Sequence, residues 1–285
     1  MSERKLKMAA VQMTSTDDVA KNLDTAERLT REAIADGASL VVLPECFAFL
    51  GPEDGKFAIA EPLPQSHTAG ATSGSPAIGG PILQRFQKLA KETRSELVLG
   101  GFYESTSEPR KVRNACVHIA EDGSVRSVYR KIHLFDVDLP DGTKLEESAT
   151  VEPGRDVVVT QTRLGKLGLS VCYDLRFPEL YRKHVDQGAT LITVPAAFTL
   201  TTGKDHWHVL LRARAIEAQC YVIAAAQTGH HFGTRRSYGH ALVCDPWGCI
   251  VAECGEGEGY AIASVDPAAI ERVRASLPSL RHRRL

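Results

Sequence analysis

The 285-residue chain carries almost no net charge: 34 Lys and Arg stand against 35 Asp and Glu, a formal balance of -1. So weak a global field gathers neither nucleic acid nor an acidic membrane surface, and the partners it implies are small molecules or protein. Long apolar runs are missing as well. None approaches the ~18 residues of a membrane span, and the stretch CYVIAAA at 220–226 reads as a buried strand. The opening MSERKLKMAAVQM passes from charge straight into strand-like alternation, with no apolar core and no small-residue cleavage site, which sets the expectation of a soluble, cytoplasmic protein. A disulfide framework is lacking too. Seven cysteines, at 46, 116, 172, 220, 244, 249 and 254, form an odd set without regular spacing in a chain large enough to fold without staples, so free thiols are expected. Cys244, Cys249 and Cys254 are too widely spaced for the usual paired zinc ligands, and no Walker or dinucleotide fingerprint occurs. The expectation is therefore no metal and no cofactor.

What is present is core-forming material, 43% of the residues being hydrophobic, enough for one domain over 1–285. LKMAAVQM (6–13) alternates as a strand, VAKNLDTAERLTREAIADG (19–37) has apolar residues at helical spacing and ends on Gly37, and SLVVLPE (39–45) is an apolar strand stopped by proline. ILQRFQKLAKET (82–93) repeats the helical pattern. Hairpins turn at Asp122-Gly123 and Leu164-Gly165. FPELYRKHVDQG and DHWHVLLRARAIEAQ read as helices, ATLITVPAAF and CYVIAAAQTG as strands, and a last helix is expected near 267–276. The Gly, Ser and Thr-rich stretch 63–80 is a long loop between a strand and a helix. Helices interleaved with many strands, several of them paired as hairpins, indicate an α/β fold with a mixed sheet covered by helices.

Three strand-like segments end on a residue with useful chemistry: Glu45 after SLVVLP, Lys131 after VRSVYR and Cys172 after LGLSV. Strand ends of an open sheet converge on one rim, where ligands bind. A thiol there needs a base, and a carboxylate in a partly dry pocket, its pKa raised, can take the proton and later activate water. A lysine ammonium ~4 Å from the sulfur contributes up to about 4 kcal/mol at an effective dielectric near 20, or roughly three pKa units toward thiolate. The same cation and the backbone N–H of Tyr173 can face a developing oxyanion.

The blocks LVVLPECF, YRKIHLFDVDLP and LGLSVCYDLRFPEL resemble, in this order, the three signature blocks of the nitrilase superfamily of carbon–nitrogen hydrolases, and the resemblance covers nearly the whole chain. It implies an α-β-β-α sandwich with Glu45 as general base, Lys131 as stabiliser of the tetrahedral intermediate and Cys172 as nucleophile. A second glutamate that orients the lysine falls best on Glu147 in LEESATVEPG, with Glu146 as the other register. HWHVLLRARAIEAQCYV, SYGHALVCDPWG and the HRR ending are most similar to the Nit branch, whose members are amidases. The implied reaction is hydrolysis of the ω-amide of a small carboxylic acid, deaminated glutathione-like or 2-oxoglutaramate-like, to the free acid and ammonia through a thioester. An N-carbamoyl amidohydrolase or true nitrilase on the same fold is the alternative, and a scaffold protein that kept the sandwich without the chemistry is a reading of another class. The resemblance also implies a homodimer or higher homo-oligomer, with the helix and tail at 267–285 in the interface.

Around this centre, Arg176 offers a bidentate fork to a substrate carboxylate, or else pairs with Glu179 or Asp174. Thr199 and Thr201, past a strand end, are candidates to reach the same pocket. Ser170 superficially matches a serine elbow but lacks the final glycine. His206 and His208, two apart on a helix, face different sides, which argues against an ion shared between them.

Overall fold

A computed structural model describes residues 6–64, 79–138 and 144–284; most of the long loop expected at 63–80 lies outside them. The order is β1 (Lys7–Met13), α1 (Val19–Ala35), β2 (Ala38–Leu43), α2 (Gly55–Ile59), α3 (Pro81–Thr93), β3 (Glu96–Ser105), β4 (Val112–Ile119), β5 (Val125–Arg130), β6 (Asp136–Asp138) and β7 (Lys144–Glu146). There follow β8 (Val159–Thr162), β9 (Gly165–Leu169), α4 (Pro178–Asp186), β10 (Leu191–Thr193), α5 (Leu200–Ala218), β11 (Tyr221–Ala224), β12 (Ala226–Phe232), β13 (Arg235–Tyr238), β14 (Leu242–Cys244), β15 (Ile250–Glu253), β16 (Gly259–Ser264) and α6 (Pro267–Ser276).

Two mixed sheets face each other with helices outside both, the four-layered α-β-β-α sandwich. The first runs β13-β12-β1-β2-β3-β4-β5, with β16 also paired to β1; the second runs β15-β14-β11-β10-β9-β8. Period-two alternation sorts the first sheet's side chains. Ala9, Val11, Met13, Val41 and Leu43 meet Leu23, Ala26 and Leu29 of α1 and Leu83, Phe86 and Leu89 of α3. Met8, Ala10, Leu40, Val42 and Val98 instead join the core shared with the second sheet. Helix α1 starts where the Asp18 carboxylate accepts from Lys21 N at 3.0 Å, and the chain turns out of it at Gly37, whose φ of +96° suits glycine. On the opposite face, Gly168 of β9 leaves the space that the His184 ring of α4 fills, a Cβ there lying 2.6 Å from that ring.

Several sequence expectations shift in detail. CYVIAAAQTG is two strands rather than one: β11 belongs to the second sheet and β12 to the first, and the chain crosses between sheets at Ala225. Backbone bonds make the crossing, Ala196 N to Ala225 O at 2.9 Å and Gln227 N to Ala196 O at 2.8 Å, so the two sheets are stitched together at one rim. Helix α5 starts at Leu200, which puts Thr199 at its N-cap and Thr201 on its exposed first turn. Short elements without a strong periodic signal, α2, the β6–β7 hairpin and β13, are additional.

Candidate active site

The stitched rim gathers residues from both sheets. Glu45 follows β2, Lys131 follows β5, Glu147 opens a 3-10 turn after β7, and Cys172 opens another 3-10 turn three residues beyond β9. All but Glu147 are nearly sealed from solvent. Lys131 Nζ donates to Glu45 Oε1 at 3.0 Å and to both Glu147 oxygens at 3.1 and 2.8 Å. Asn114 Nδ2 donates to the same two carboxylates at 2.9 and 3.1 Å, and Phe135 N reaches Glu147 Oε2 at 2.7 Å. The other Glu45 oxygen accepts from Ala197 N at 2.9 Å, and Cys172 shares one cavity wall with the Glu45 carboxylate. Glu146, the alternative register, is exposed.

Local backbone explains why these side chains meet. Cys172 has φ of +46°, in the left-handed region that costs a non-glycine residue about 1 kcal/mol or more. Two anchors over-determine that turn: Cys172 N donates to Pro195 O at 2.9 Å, and the Asp174 carboxylate accepts from Val171 N at 2.8 Å. Asp174 is fully buried and also accepts from Tyr129 OH at 2.7 Å and from His133 N at 3.1 Å, with the His133 ring Nδ1 at 2.7 Å. It thereby ties the lysine block to the cysteine block. Gly101 (φ +59°) lets the chain carrying Glu45 press against a bulge in β3, since a Cβ there would lie 2.4 Å from Cys46 N.

The charges settle differently from the expectation raised by the residue types. Burial alone would raise the Glu45 carboxyl, but Lys131 and the hydrogen bonds from Cys172 and Ala197 outweigh it and hold the group below its usual range. Burial would likewise push Lys131 down, yet Glu147 and Glu45 keep it well above the ordinary ammonium value. Cys172 moves the other way from the thiolate expected: burial, then the adjacent Glu45 charge, raise the thiol well above its ordinary value despite Lys131. One ammonium shared by two carboxylates leaves little to stabilise a thiolate. The resting state is thiol beside carboxylate, a pairing that can serve as a nucleophile and its base.

Cys172 lines two clefts. A cavity of about 330 Å³ is lined by Glu45, Lys131, Glu147 and Cys172, by the apolar Phe49, Leu145, Val151 and Phe232, and by Lys56, Lys144 and Arg235. A smaller cleft that shares Phe135, Cys172 and Ala197 with it also holds Tyr173, Arg176, Phe198, Thr199 and Thr202. Both Arg176 and Thr199 therefore border Cys172.

With this geometry in place, the comparisons with known proteins carry weight. The carbon-nitrogen hydrolase profile matches residues 7–275. The chain belongs to the carbon–nitrogen hydrolase family. It is 48% identical over 278 residues to a deaminated glutathione amidase of Synechocystis, covering 96% of this chain and 97% of that one, and 42% identical to the human deaminated glutathione amidase over 97% and 82%. Saccharomyces cerevisiae Nit3, a member of branch 10 of the nitrilase superfamily, superposes with a TM-score of 0.83 at 33% identity over 99% of this chain and 97% of that one. These similarities place the hydrolase in the Nit branch of the nitrilase superfamily.

In this carbon–nitrogen hydrolase the ion-pair alternative for Arg176 does not form among the described residues. Asp174 is committed elsewhere, and the Arg176 guanidinium rests over Tyr173 and Phe198 at 5.8 and 5.2 Å, with Nη1 3.3 Å from His206 Nδ1. The Tyr173 N–H donates to no carbonyl among the described residues. Thr199 Oγ1 pairs with Thr202 Oγ1 at 2.7 Å. Asn114 and Arg235 escaped the sequence reading, which named Asp174 only as a partner for Arg176 and missed the part it plays. Nothing in the words VRNACV, CYDLR or TRRSY marks them, because their roles depend on neighbours distant in the chain.

Proposed function

We propose that this hydrolase cleaves the ω-amide of a small carboxylic acid, a deaminated glutathione-like substrate, through a thioester on Cys172. The observation that carries the reading is Cys172 in one cavity wall with Glu45, whose carboxylate Lys131 bridges to Glu147. Cys172 Sγ adds to the amide carbonyl carbon while its proton passes to Glu45. The oxyanion that forms is met by Lys131 Nζ and the unengaged Tyr173 N–H. Collapse breaks the C–N bond, Glu45 returns the proton to the leaving nitrogen, and the amine departs. Glu45 then deprotonates water, which attacks the thioester carbon, and the acid and free thiol are released. Glu147 holds Lys131 in position throughout. The amine is ammonia for a primary ω-amide and the cysteinylglycine dipeptide for deaminated glutathione.

The two clefts support this substrate class. A cavity of about 330 Å³ lies within the span usual for a small-molecule site. A substrate with a carboxylate at each end matches a cation in each of the two clefts that Cys172 lines. Arg176, without a carboxylate partner, takes one end with Thr199, and Arg235, whose Nη1 is buried without an acceptor among the described residues, takes the other. Replacing Cys172 by alanine abolishes turnover on this reading. A panel of deaminated glutathione, 2-oxoglutaramate, N-carbamoyl amino acids and nitriles, followed by chromatography of the acid product, tests the substrate; faster turnover of a carbamoyl compound or a nitrile overturns it.

Residues 1–285 act in this reading as one domain, in a reducing cytoplasm suited to seven free thiols. Association of copies is supported by the exposed apolar side chains Val209 and Ile216 on α5 and the nearby exposed Trp247, the tail beyond α6 lying at the interface.

A further inference from the structure

On the outer face of the second sheet, three side chains from separate elements converge outside the active site. Glu253, the last residue of β15, places Oε1 2.8 Å from His208 Nε2 of α5 and 2.8 Å from His240 Nδ1 just before β14. All three donor atoms lie within 4.8 Å of one another. The geometry points to a Zn2+ site formed by His208, His240 and Glu253.

Zinc takes imidazole nitrogens and carboxylate oxygens at about 2.0–2.2 Å in a tetrahedron, which puts neighbouring ligand atoms roughly 3.3 Å apart. The two 2.8 Å contacts to Glu253 Oε1 fall about 0.5 Å short of that value, so an ion enters as the side chains spread apart around it. Each side chain is about one-third exposed, at 28%, 32% and 33%, and this leaves the fourth position to water.

The frame is built before any ion arrives. His240 sits at φ +59°, a strained position held by the fully buried Trp207, whose Nε1 donates to His240 O at 2.8 Å. Trp207 adjoins His208 in α5, so this one bond fixes both histidine backbones. The backbone of β15 is laddered to β14 through Leu242 and Glu253, and Cys254 N donates to Ala241 O at 2.8 Å. The Tyr238 ring packs against both imidazoles, 5.8 Å from His208 and 4.5 Å from His240. An ion here clips α5 to the β14–β15 hairpin. That is a stabilising role separate from hydrolysis.

The competing arrangement is a hydrogen-bonded trio only, both imidazoles donating to one oxygen, with any bound zinc held by thiols instead. Chelator-stripped full-length protein titrated with Zn2+ against a chromophoric zinc indicator separates the two, alongside the variants His208→Ala, His240→Asn and Glu253→Gln. Asparagine tolerates the left-handed backbone at 240, and alanine suits the helix at 208. The site predicts that each variant loses one zinc equivalent, or binds it at least tenfold more weakly, and no longer gains melting temperature on adding zinc. Turnover without zinc stays as in the wild type. Co2+ at the site gives tetrahedral d–d absorption without a thiolate charge-transfer band. Zinc uptake unchanged in all three variants, a thiolate band that the variants retain, or no zinc-dependent rise in wild-type melting temperature overturns the proposal.

Discussion

Exchanging Glu147 for glutamine tests the reasoning about the active site most sharply, because every atom facing its carboxylate is a donor. Oε1 takes Lys131 Nζ and Asn114 Nδ2, and Oε2 takes Lys131 Nζ and Phe135 N. An amide has one oxygen and one NH2, so whichever way glutamine turns, its NH2 faces two donors. A charge-assisted hydrogen bond worth about 1.5–3 kcal/mol is lost, and a partly buried donor left unpaired adds about 1–3 kcal/mol. Glu147 is 16% exposed at its side chain, so water relieves part of this and the lower half of the sum applies, about 3–4 kcal/mol. At 1.36 kcal/mol per tenfold, kcat/KM falls by about 10²–10³. Glu146→Gln, changing an exposed side chain one residue away, leaves it within about twofold.

The same substitution alters the charge around the thiol. Glu45, Lys131 and Glu147 sum to one negative charge, and Glu147→Gln brings that sum to zero, so the pH at which Cys172 alkylates at half its maximal rate moves down while turnover drops. Steady-state kinetics together with pH-dependent alkylation of Cys172 by iodoacetamide, read by mass spectrometry, supply both numbers. A variant that keeps kcat/KM within threefold of wild type refutes the positioning argument. So does a Glu146→Gln variant that loses as much.

Other consequences are as direct. Asp174→Asn places an NH2 against two of the four groups that its buried carboxylate holds, so it lowers unfolding free energy by about 2–4 kcal/mol and kcat with it; a urea midpoint equal to wild type contradicts that. Arg176→Gln and Arg235→Gln each raise KM for a dicarboxylic amide far more than for an amide lacking that carboxylate, measured by paired substrate kinetics, and equal effects on both substrates argue against carboxylate binding. Burial lowers His184 and His231 from 6.5 to about 4. The unfolded chain therefore takes up protons below about pH 6.5 that the folded chain refuses until about pH 4. Stability falls across that window by up to about 3 kcal/mol per histidine at 1.36 kcal/mol per unit, with His184→Leu removing one proton from the slope, and a urea midpoint flat from pH 6.5 to 4.5 rules this out.

The parts of the site legible in the sequence are those whose signal is local. Glu45, Lys131 and Cys172 each follow a strand-like segment, so a reactive residue at a strand end shows in a window of six or seven residues; helical and alternating periods show an α/β fold with a mixed sheet, while the four-layer sandwich was implied only by the resemblance to the nitrilase superfamily. Asn114 and Asp174 give no such signal. Each is a polar residue whose meaning comes from partners tens of residues away, 69 for Asn114 with Glu45 and 45 for Asp174 with Tyr129. Ala225 hides a crossing between sheets because two strands of opposite destination read as one apolar run. The ionisation of Cys172 was illegible for another reason: residue types supply the charges, but burial and the sharing of Lys131 decide which proton stays.

That sharing ties the fold to the chemistry. Glu45, Lys131 and Asn114 hang from the first sheet, Cys172 and Ala197 from the second, and the Cys172 thiol meets the Glu45 carboxylate only because backbone bonds at Ala196, Ala225 and Gln227 close the rim between them. The Gln227 side chain adds to the closure, its Nε2 donating to Glu45 O at 3.0 Å and to Ser15 Oγ at 2.7 Å. Had the thiolate been stabilised outright, Glu45 would hold the thiol's proton before any substrate arrived, and a separate acid would be redundant but so would the timing. A thiol that ionises only as carbon–sulfur bonding begins couples proton transfer to attack, and the proton taken is the one the leaving amine needs. A buried carboxylate kept ionised by a lysine, itself fixed by a second carboxylate, is the arrangement that performs both transfers at a single group.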